Sequence, residues 1–544
     1  MVKPPPHRIH FITAAVVACS LAGLLGTQTA HAASSAWGVD ASGAWNLSTN
    51  WAGSTIADGS GFTATFANDI TADRTVTLGV DRTIGSLTFG DSNTSTAGSW
   101  LLTGNTLTLS STHIITVNAL GTGKTVTISS VIAGGAGFTK AGTGTLILTN
   151  ANTYTGGTVI SGGTLIVTNT AALSPQSLTL SGGGVFDVQT DGGDIAKTVS
   201  VGNGNAGTIA SDVATGTVGI DHSLGTLNIS SSTTLTITKG INVASGSPSI
   251  TFATVALSAG AAGTSIIKPT TANLMLGDVS STSNFAKTLQ LDGTSTGNAV
   301  TGTISDGTNV VSLTKANTST WTLGGANTYS GTTTVSGGTL AITGSTGSGA
   351  VTAQNGSTIL GTGSVHGSSF TAQSGSTVQA GNDTAQSSYG TLNFTPVSGS
   401  GSFDFQSGSS VILGINPGGT GDLLNFNGLS AGTLNFNGNL QVTATGYIPT
   451  SVQTFNLLDW ANLTTVTFAN RYSSTSYSGY LLGNGDDNLG FDLPDISGSG
   501  YAWDISHFTT DGTISTIAIV PEPARILLLC LGLMGLVLRR KRHS

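Results

Sequence analysis

The feature that most constrains the fold of this 544-residue chain is an internal repeat. Residues 139–168 read TKAGTGTLILTNANTYTGGTVISGGTLIVT, and residues 314–343 read TKANTSTWTLGGANTYSGTTTVSGGTLAIT. The two segments align without a gap, and more than half of their positions are identical. A unit this short cannot bury an apolar core by itself, so the units must stack on one another.

Within each unit, apolar and β-branched residues alternate with polar ones, which is typical of short strands. We predict strands at 146–149, 158–160 and 164–168, with a turn at Ala151-Asn152 and a Gly-Gly corner. Stacking at about 4.8 Å per layer would bury a continuous column of Leu, Ile and Val. The sequence therefore predicts an all-β fold whose body is a parallel β-helix (β-solenoid), a rod of roughly 20 layers on the order of 100 Å long.

This repeat resembles the autotransporter-associated β-strand repeat, whose pattern is roughly TKxGxGTLxLxxxNTYxGxTxVxxGTLxxx. The first copy matches almost throughout, whereas the second carries Asn317 and Ser319 in place of two glycines. The resemblance implies a parallel β-helix in an exported region, often one linked to adhesion. Because the C-terminus differs from that of an autotransporter, we expect a separate export route.

The segment from Val520 to Ser544 has three parts with distinct physical roles. These are Val520-Pro521-Glu522-Pro523, an apolar run from Ile526 to Leu538, and the basic cluster Arg539-Arg540-Lys541-Arg542. The prolines keep the first part extended, the apolar run would form a helix of about 20 Å, and the basic cluster favours the cytoplasmic side. This order resembles the PEP-CTERM sorting tail of Gram-negative bacteria, which implies an exosortase as processing partner. A plain C-terminal membrane anchor is the alternative.

The N-terminus predicts export through a signal peptide. Lys3 and Arg8 form a charged start, residues 11–25 are mostly apolar, and Ala30-His31-Ala32 offers a small-x-small cleavage site before Ala33. A loose lipoprotein pattern around Cys19 is the alternative to signal-peptidase cleavage.

The composition of the body, roughly 33–519, excludes several functional classes. The two cysteines, Cys19 and Cys530, lie in the terminal segments, so the body has no disulfide and no thiolate chemistry. The body carries ten basic residues against 24 aspartates, a formal charge of −14. A surface this acidic has no electrostatic footprint for nucleic acid.

We predict five segments along the chain. They are the signal peptide (1–32), an N-terminal solenoid or cap region (33–130), the solenoid with the two repeats (131–360), a looser C-terminal solenoid or cap (361–519) and the sorting tail (520–544). Trp45 and Trp51 most simply cover the first layer of the rod, with carbohydrate stacking as the alternative.

Several motifs suggest chemistry but fit turns better. Residues 202–207 match GxGxxG without a following helix pattern, and Gly123-Lys124-Thr125 lacks the first glycine of a phosphate-binding loop. The Asp-bearing loops 418–422 and 484–488 resemble single calcium-binding turns, but one isolated loop rarely supplies six to eight oxygens. We read them as solvated turns.

The remaining titratable residues form no recognisable catalytic or metal-binding pattern. The body histidines lack ligand spacing, so surface or turn positions are expected for them; they are His113, His222, His366 and His507. Asp73-Arg74 and Asp81-Arg82 recur at a spacing of eight, which indicates two equivalent turn positions. No catalytic residue, metal or cofactor is expected.

These observations predict an exported, non-enzymatic rod with a structural or adhesive role at the cell surface, outer membrane or extracellular matrix of a Gram-negative bacterium. Expected partners are an exosortase-type enzyme, extracellular polysaccharide and, at least transiently, the membrane around the C-terminal tail. An exported polysaccharide lyase or hydrolase on a β-helix scaffold and a surface-lattice protein are the alternatives.

Overall fold

A computed structural model describes residues 32–519, except 97, 259, 382–388, 428, 430, 445, 470–471 and 473–489, and also Met534. The predicted sorting motif at 520–523, the tail at 526–542 apart from Met534, and signal-peptide residues 1–31 lie outside the described residues. Among the described residues, no helix combines the length and apolar character that a membrane crossing requires.

The described chain is almost entirely β-structure, which confirms the predicted fold class. Three short helical turns interrupt it: the 3-10 turns Ser48–Asn50 and Ala52–Ser54 and the α-helical turn Phe508–Asp511. The first repeat copy has strands at Thr145–Leu148, Thr158–Ile160 and Thr164–Val167, close to the sequence-based bounds.

The largest sheet has 21 strands, all paired in parallel. Its strands are Ser35–Ala36, Gly59–Phe66, Arg82–Phe89, Thr106–Val117, Val131–Ala133, Phe138–Ala141, Thr158–Ile160, Leu178–Leu180, Val199–Val201, Asp221–Ile229, Ser249–Leu257, Asn273–Ser281, Asn298–Val300, Ile304–Gly307, Thr320–Leu323, Gly338–Ile342, Ser357–Gly361, Thr377–Ala380, Ser410–Gly414, Asn439–Thr443 and Phe491–Asp492.

A second long sheet and a four-stranded sheet, both also parallel, complete the rod. The second long sheet contains Gly43–Ala44, Arg74–Thr77, Trp100–Thr103, Val126–Ile128, Thr145–Leu148, Thr164–Val167, Val185–Gln189, Ala206–Asp212, Thr233–Lys239, Gly263–Pro269, Lys287–Leu291, Val311–Lys315, Thr333–Val335, Val351–Ala353, Ser369–Ala372, Ser400–Phe405, Ala431–Phe436 and Thr465–Phe468. The four-stranded sheet contains Ser364–Val365, Thr391–Phe394, Leu423–Asn425 and Leu458–Asp459.

Each strand pairs with the strand one coil further along the chain, so the described body is a β-solenoid. Each coil adds one level to the largest sheet. Two of the coils contribute two strands each, so the 21 strands correspond to 19 levels. At about 4.8 Å per level the rod is about 90 Å long. Coil length varies: a short coil runs from Phe138 to its partner Thr158, and a longer one runs from Asp221 to its partner Ser249.

The coil has three faces because the longer strands of the largest sheet bend at their middle. In the coil that begins at Asp221, face A contains residues 221–224, face B contains 226–229, and face C contains 233–239 in the second long sheet. The bend lies at Gly225 and, two coils later, at Gly277, where a Cβ would lie 2.0 Å from the Ala253 carbonyl oxygen. Towards the C-terminus, the four-stranded sheet continues face B.

Inward-pointing side chains form ladders of apolar residues along the rod axis. On face C, Leu146, Leu165, Phe186 and Ile209 lie in register on successive coils, and each is fully buried. Such ladders merge into a continuous core. Stability therefore comes from aliphatic and aromatic burial together with backbone pairing between coils.

An aromatic cluster covers the N-terminal end of the rod. The rings of Trp37, Trp45, Trp51 and Phe66 pack against one another with centroids 4.9–5.8 Å apart. Trp45 and Trp51 are almost fully buried and donate their indole N–H groups to Ala57 and Trp45 carbonyls. Because their faces are inside the protein, they form a cap and cannot stack on a sugar.

The C-terminal end is closed by a second aromatic cluster and a small antiparallel sheet. Phe436, Tyr472, Phe491 and Phe508 pack with centroid distances of 4.9–6.1 Å. The antiparallel sheet consists of Thr454–Asn456, Thr513–Ala518 and Tyr501–Asp504. Both clusters belong to the continuous hydrophobic core, so aromatic side chains close it at each end.

The two repeat copies have the same local structure but lie on different faces. The strand that begins the first copy, Phe138–Ala141, is on face B, whereas its equivalent Val311–Lys315 is on face C. Copy 2 therefore begins seven coils after copy 1 and on the next face of the coil, so the separation is not a whole number of coils. Copy 2 is rotated by about one third of a turn around the rod axis relative to copy 1.

Candidate functional surface

The lysine that begins each repeat is buried in a cage of carbonyl groups. Lys140 is 0% exposed, and its Nζ donates to the carbonyls of Ala141, Gly142 and Gly162 at 3.0–3.1 Å. Lys315 repeats this arrangement with Ala316, Asn317 and Gly337 at 2.7–3.1 Å. Burial lowers the pKa of both ammonium groups to about 8. Each lysine joins one coil to the next and is inaccessible to a ligand.

The second glycine of the Gly-Gly corner packs against the lysine cage. Gly163 has φ +62°, and a Cβ there would lie 2.8 Å from Lys140 Nζ. Gly338 has φ +61° and the same 2.8 Å approach to Lys315 Nζ. At each position two backbone carbonyl oxygens would lie even closer to the Cβ than the ammonium. The left-handed conformation, these carbonyls and the ammonium therefore all favour glycine.

The Asn and Tyr of each repeat are also structural. Asn152 accepts from the Ile132 N–H at 2.7 Å and donates to the Ala172 carbonyl at 2.6 Å, so one amide joins three coils. Asn327 makes equivalent bonds to Ile304 and Ser345. The buried Tyr154 hydroxyl pairs with Thr158 at 2.6 Å. The repeated residues thus build the scaffold and leave function to the outward side chains.

The Asp-Arg pairs occupy equivalent structural positions, as their spacing predicted. Asp73 and Asp81 accept N–H groups of the next coil, from Ser99 and Thr106, each at 2.8 Å. Arg74 and Arg82 pair with aspartates of the preceding coil; these pairs are Arg74–Asp40 at 2.7 Å and Arg82–Asp58 at 2.9 Å.

The charged corner around Arg74 is poorly suited to acid–base catalysis. The Arg74 guanidinium and Thr71 hold the pKa of Asp40 down at about 2. The Ser99 N–H and Lys124, which lies 3.1 Å away, lower the pKa of Asp73. A general acid or base works best with a pKa near the operating pH, and both carboxylates are far below it.

His222 corrects the expectation that the body histidines lie at the surface. It is 0% exposed, and its ring nitrogens contact Ser211 Oγ at 2.8 Å and Thr190 Oγ1 at 3.1 Å. Burial lowers its pKa. Because Ser211 and the nearby Asp212 are also 0% exposed, this serine–histidine contact cannot reach a substrate and acts as a buried polar network.

Asp187 is an outward residue of face C that is nevertheless only 7% exposed. Its Oδ1 has no hydrogen-bond partner within the described chain. Burial, with a smaller contribution from the Asp212 charge, raises the pKa of Asp187 to about 7. No signal in the sequence distinguishes this aspartate from its exposed counterparts.

In the loop at 418–422, Gly418 and Thr420 are exposed, as expected of a solvated turn, but Asp422 is not. Asp422 is 1% exposed and its carboxylate accepts the N–H groups of Gly390 and Gly414, both at 2.7 Å. The other loop, 484–488, lies outside the described residues. Within the described ranges, no group of three or more His, Cys, Asp or Glu side chains has metal-binding proximity.

The predicted signal-cleavage site lies at the boundary of the described chain. Ala30 falls outside it, whereas Ala33 forms a two-way backbone bridge with Asp58 at 2.9 and 3.1 Å. Cleavage between Ala32 and Ala33 stays a prediction.

The outward side chains on the C-terminal half of the rod form columns of hydroxyl groups. On face C, Thr314, Thr334, Thr352 and Thr371 are in register on successive coils. On face A, Thr320, Thr339, Thr358 and Thr377 form a similar column. All eight are partly exposed. Sequence reasoning anticipated polar faces but not these columns, because register was unknown.

Comparison with known proteins supports the assignment of the repeat. Residues 138–167 and 313–342 match the family model described as the passenger-associated-transport-repeat. These are the two caged-lysine units, and the match covers only them.

A longer stretch is similar to a known adhesin. Over 177 residues, 32% of this chain, the sequence is 34% identical to the adhesin BmaC autotransporter of Brucella suis biovar 1 (strain 1330). The match spans 5% of that adhesin's own length. The similarity therefore covers a part of each protein and not the whole of either.

Proposed function

We propose that this protein is an exported, non-enzymatic β-solenoid that acts as an adhesive or structural rod at the surface of a Gram-negative bacterium or in its extracellular matrix. The observation that carries the proposal is that the repeated residues and the outward residues of the coil have different roles. The repeated residues hold coils together, and the outward faces present regular columns of hydroxyl groups. Similarity to an autotransporter adhesin supports the adhesive role.

Affinity in such a rod would come from many weak polar contacts rather than from one pocket. Contacts repeated along one rigid body act as linked sites, so their combined avidity exceeds that of any single contact. Extracellular polysaccharide is the partner we propose, because its hydroxyl groups can both donate to and accept from Ser and Thr. The body charge of −14 argues against nucleic acid as a partner.

Export and sorting form the second part of the proposal. The N-terminal signal peptide would direct export, and an exosortase-type enzyme would process the tail at Val520–Pro523 before the apolar run 526–538. Mass spectrometry of the protein from native cells would test this directly. A mature C-terminus near Pro521 supports sorting, whereas an intact Arg539–Arg542 cluster would support a plain anchor instead.

Deletion of the gene tests the adhesive role. We expect the deletion strain to show weaker cell aggregation and weaker attachment to matrix-coated surfaces, and we expect the purified full-length protein to restore both. Normal aggregation and attachment in the deletion strain would contradict the proposal. Release of soluble sugar by the purified protein from a polysaccharide panel would favour the lyase or hydrolase alternative.

A further inference from the structure

Face C between the levels of Thr288 and Thr371 presents two parallel columns of uncharged polar side chains. The first column contains Gln290, Thr314, Thr334, Thr352 and Thr371, which lie in register on successive coils. The second contains Thr288, Ser312, Thr332 and Ser369, with Ala350 in the remaining position. We call these two columns the hydroxyl face. Its positions repeat at about 4.8 Å along the rod and about 7 Å across it.

The side chains of the hydroxyl face are free to bind a ligand. None of its Ser and Thr hydroxyls makes a hydrogen bond to another protein group within the described residues, and all are at least partly exposed. Threonine is stiff at χ1 because it is β-branched, so its hydroxyl loses little rotamer freedom on binding. Preorganised groups of this kind lower the entropy cost of association.

The corresponding surface on face A is narrower. Its column of Thr320, Thr339, Thr358 and Thr377 lies beside a column in which Ala341, Leu360 and Gln379 are 8%, 4% and 3% exposed. Other parts of the chain therefore cover the second column on face A, and a ligand there meets one row of hydroxyls instead of two.

Charge indicates which kind of ligand fits the hydroxyl face. The two columns contain no ionisable side chain from Thr288 to Thr371, and the next coil introduces Asp404. An acidic polymer would find no cation there and would be repelled by the −14 body, while a basic one would find no carboxylate. A neutral ligand matches this surface.

The N-terminal edge of the hydroxyl face also carries exposed apolar side chains. Phe285 is 54% exposed and lies two residues before the strand that contains Thr288. Val310 is 40% exposed and lies directly before the strand that contains Ser312. Sugar rings have apolar faces as well as hydroxyl edges, and aromatic side chains pack against such faces. The apolar edge and the hydroxyl columns together suit a sugar chain.

We propose that the hydroxyl face binds an extended, neutral polysaccharide that lies along the rod axis. This inference rests on the proposed adhesive function and adds the face, the residues and the class of glycan. Each hydroxyl exchanges its hydrogen bonds to water for bonds to the sugar, and the repetition over successive coils makes the summed interaction strong.

The test is co-sedimentation of the full-length protein with amorphous cellulose, a neutral glycan, compared with alginate gel, an acidic one. The variant T314V/T334V/T352V removes three hydroxyls and keeps the β-branched shape. The matched control, T339V/T358V/T377V, makes the same change on face A. Circular dichroism and thermal midpoints of both variants are compared with those of the wild type.

We expect the wild type to bind cellulose more tightly than alginate. The face C variant should bind cellulose at least tenfold more weakly, and the face A variant should stay within twofold of the wild type. Equal effects of the two variants, no effect of the face C variant, or binding to alginate alone would overturn the inference.

Failure of this inference can be told apart from failure of the adhesive function. If the wild type restores attachment to the deletion strain but does not sediment with cellulose, the glycan assignment to the hydroxyl face is wrong and the adhesive rod stands. If the wild type fails to restore attachment, the proposed function itself is wrong.

Discussion

The two repeat copies use the same chemistry at different positions around the rod. In copy 1 the caged Lys140 lies on face B, and in copy 2 the caged Lys315 lies on face C. The lysine cage, the Gly-Gly corner and the Asn bridge are nevertheless the same in both. The comparison teaches that the repeat encodes how one coil joins the next, independently of which face it occupies.

The rotation changes which side chains reach a given face. On face C, copy 1 presents Ile147 and Ile166, whereas copy 2 presents Thr314 and Thr334. The threonines of copy 2 then continue in register into Thr352 and Thr371. Because copy 2 is rotated by one third of a turn relative to copy 1, its residues Thr314 and Thr334 become part of the hydroxyl face.

Substitution of a caged lysine should give the largest loss of stability. The loss should be equal in the two copies. Lys140→Met or Lys315→Met leaves three buried carbonyls without a donor, and we expect a loss of about 5 kcal/mol in local unfolding free energy. Hydrogen exchange of the neighbouring amides measures it. Lys239→Met, which changes an exposed lysine, is the control. A loss in only one copy would show that the cages are not equivalent.

The two copies should also differ in how the stability of the following coil depends on pH. The outward position after Ile166 holds Asp187, while the position after Ala341 holds Leu360. The pKa of Asp187 is raised to about 7 in the folded state against about 3.9 unfolded, so its stabilisation is present below pH 4 and lost as pH rises through 7.

For the coil that contains Asp187, we expect the free energy of local unfolding to fall by on the order of 4 kcal/mol between pH 4 and pH 8. We expect no such change around Leu360. Hydrogen exchange at the two pH values, corrected for intrinsic rates, measures both. Asp187→Asn should abolish the difference. A pH dependence that persists in this variant would assign it to another group.

Alanine at the Gly-Gly corner should cost less than loss of the lysine. Gly163→Ala or Gly338→Ala combines positive-φ strain with clashes against two backbone carbonyl oxygens and, at 2.8 Å, the ammonium. We expect the free energy of unfolding to fall by about 3 kcal/mol. Gly183→Ala is the control because its φ is +76° and nothing lies within 4 Å of the added Cβ. Its loss should be about 1–2 kcal/mol. Equal losses would mean that the neighbouring carbonyls and the ammonium move aside at little energetic cost.

The smallest effect is expected where the copies differ in sequence. Gly142 has φ +77°, and its equivalent Asn317 has φ +54°. Asn317→Gly fits the left-handed region but removes the amide that donates to the buried Asp292 carboxylate, so we expect a loss of about 1 kcal/mol in unfolding free energy. Asn317→Val should destabilise by more, since a β-branched residue resists positive φ. Denaturant midpoints of the two variants make the comparison.

Sequence reasoning anticipated the strands, the corners and the caps because these depend on local chemistry. Alternation of apolar residues predicted the strands of the first copy closely, and Trp45 and Trp51 form the expected cap. It missed the burial of His222 and Asp422, since burial depends on the neighbouring coils. The sorting motif and the signal peptide stay predictions, because they lie beyond the described residues.

From the order of residues alone, it followed that this chain forms a stacked β-rod, since a short unit with apolar alternation must share its core with its neighbours. The tertiary structure decided which side chains line up on one face. The coil that begins at Asp221 is longer than the one that begins at Phe138, so the register between distant segments depends on how loops are accommodated at each corner. That accommodation places Thr314 above Thr334 and separates Lys140 from Lys315 by one face.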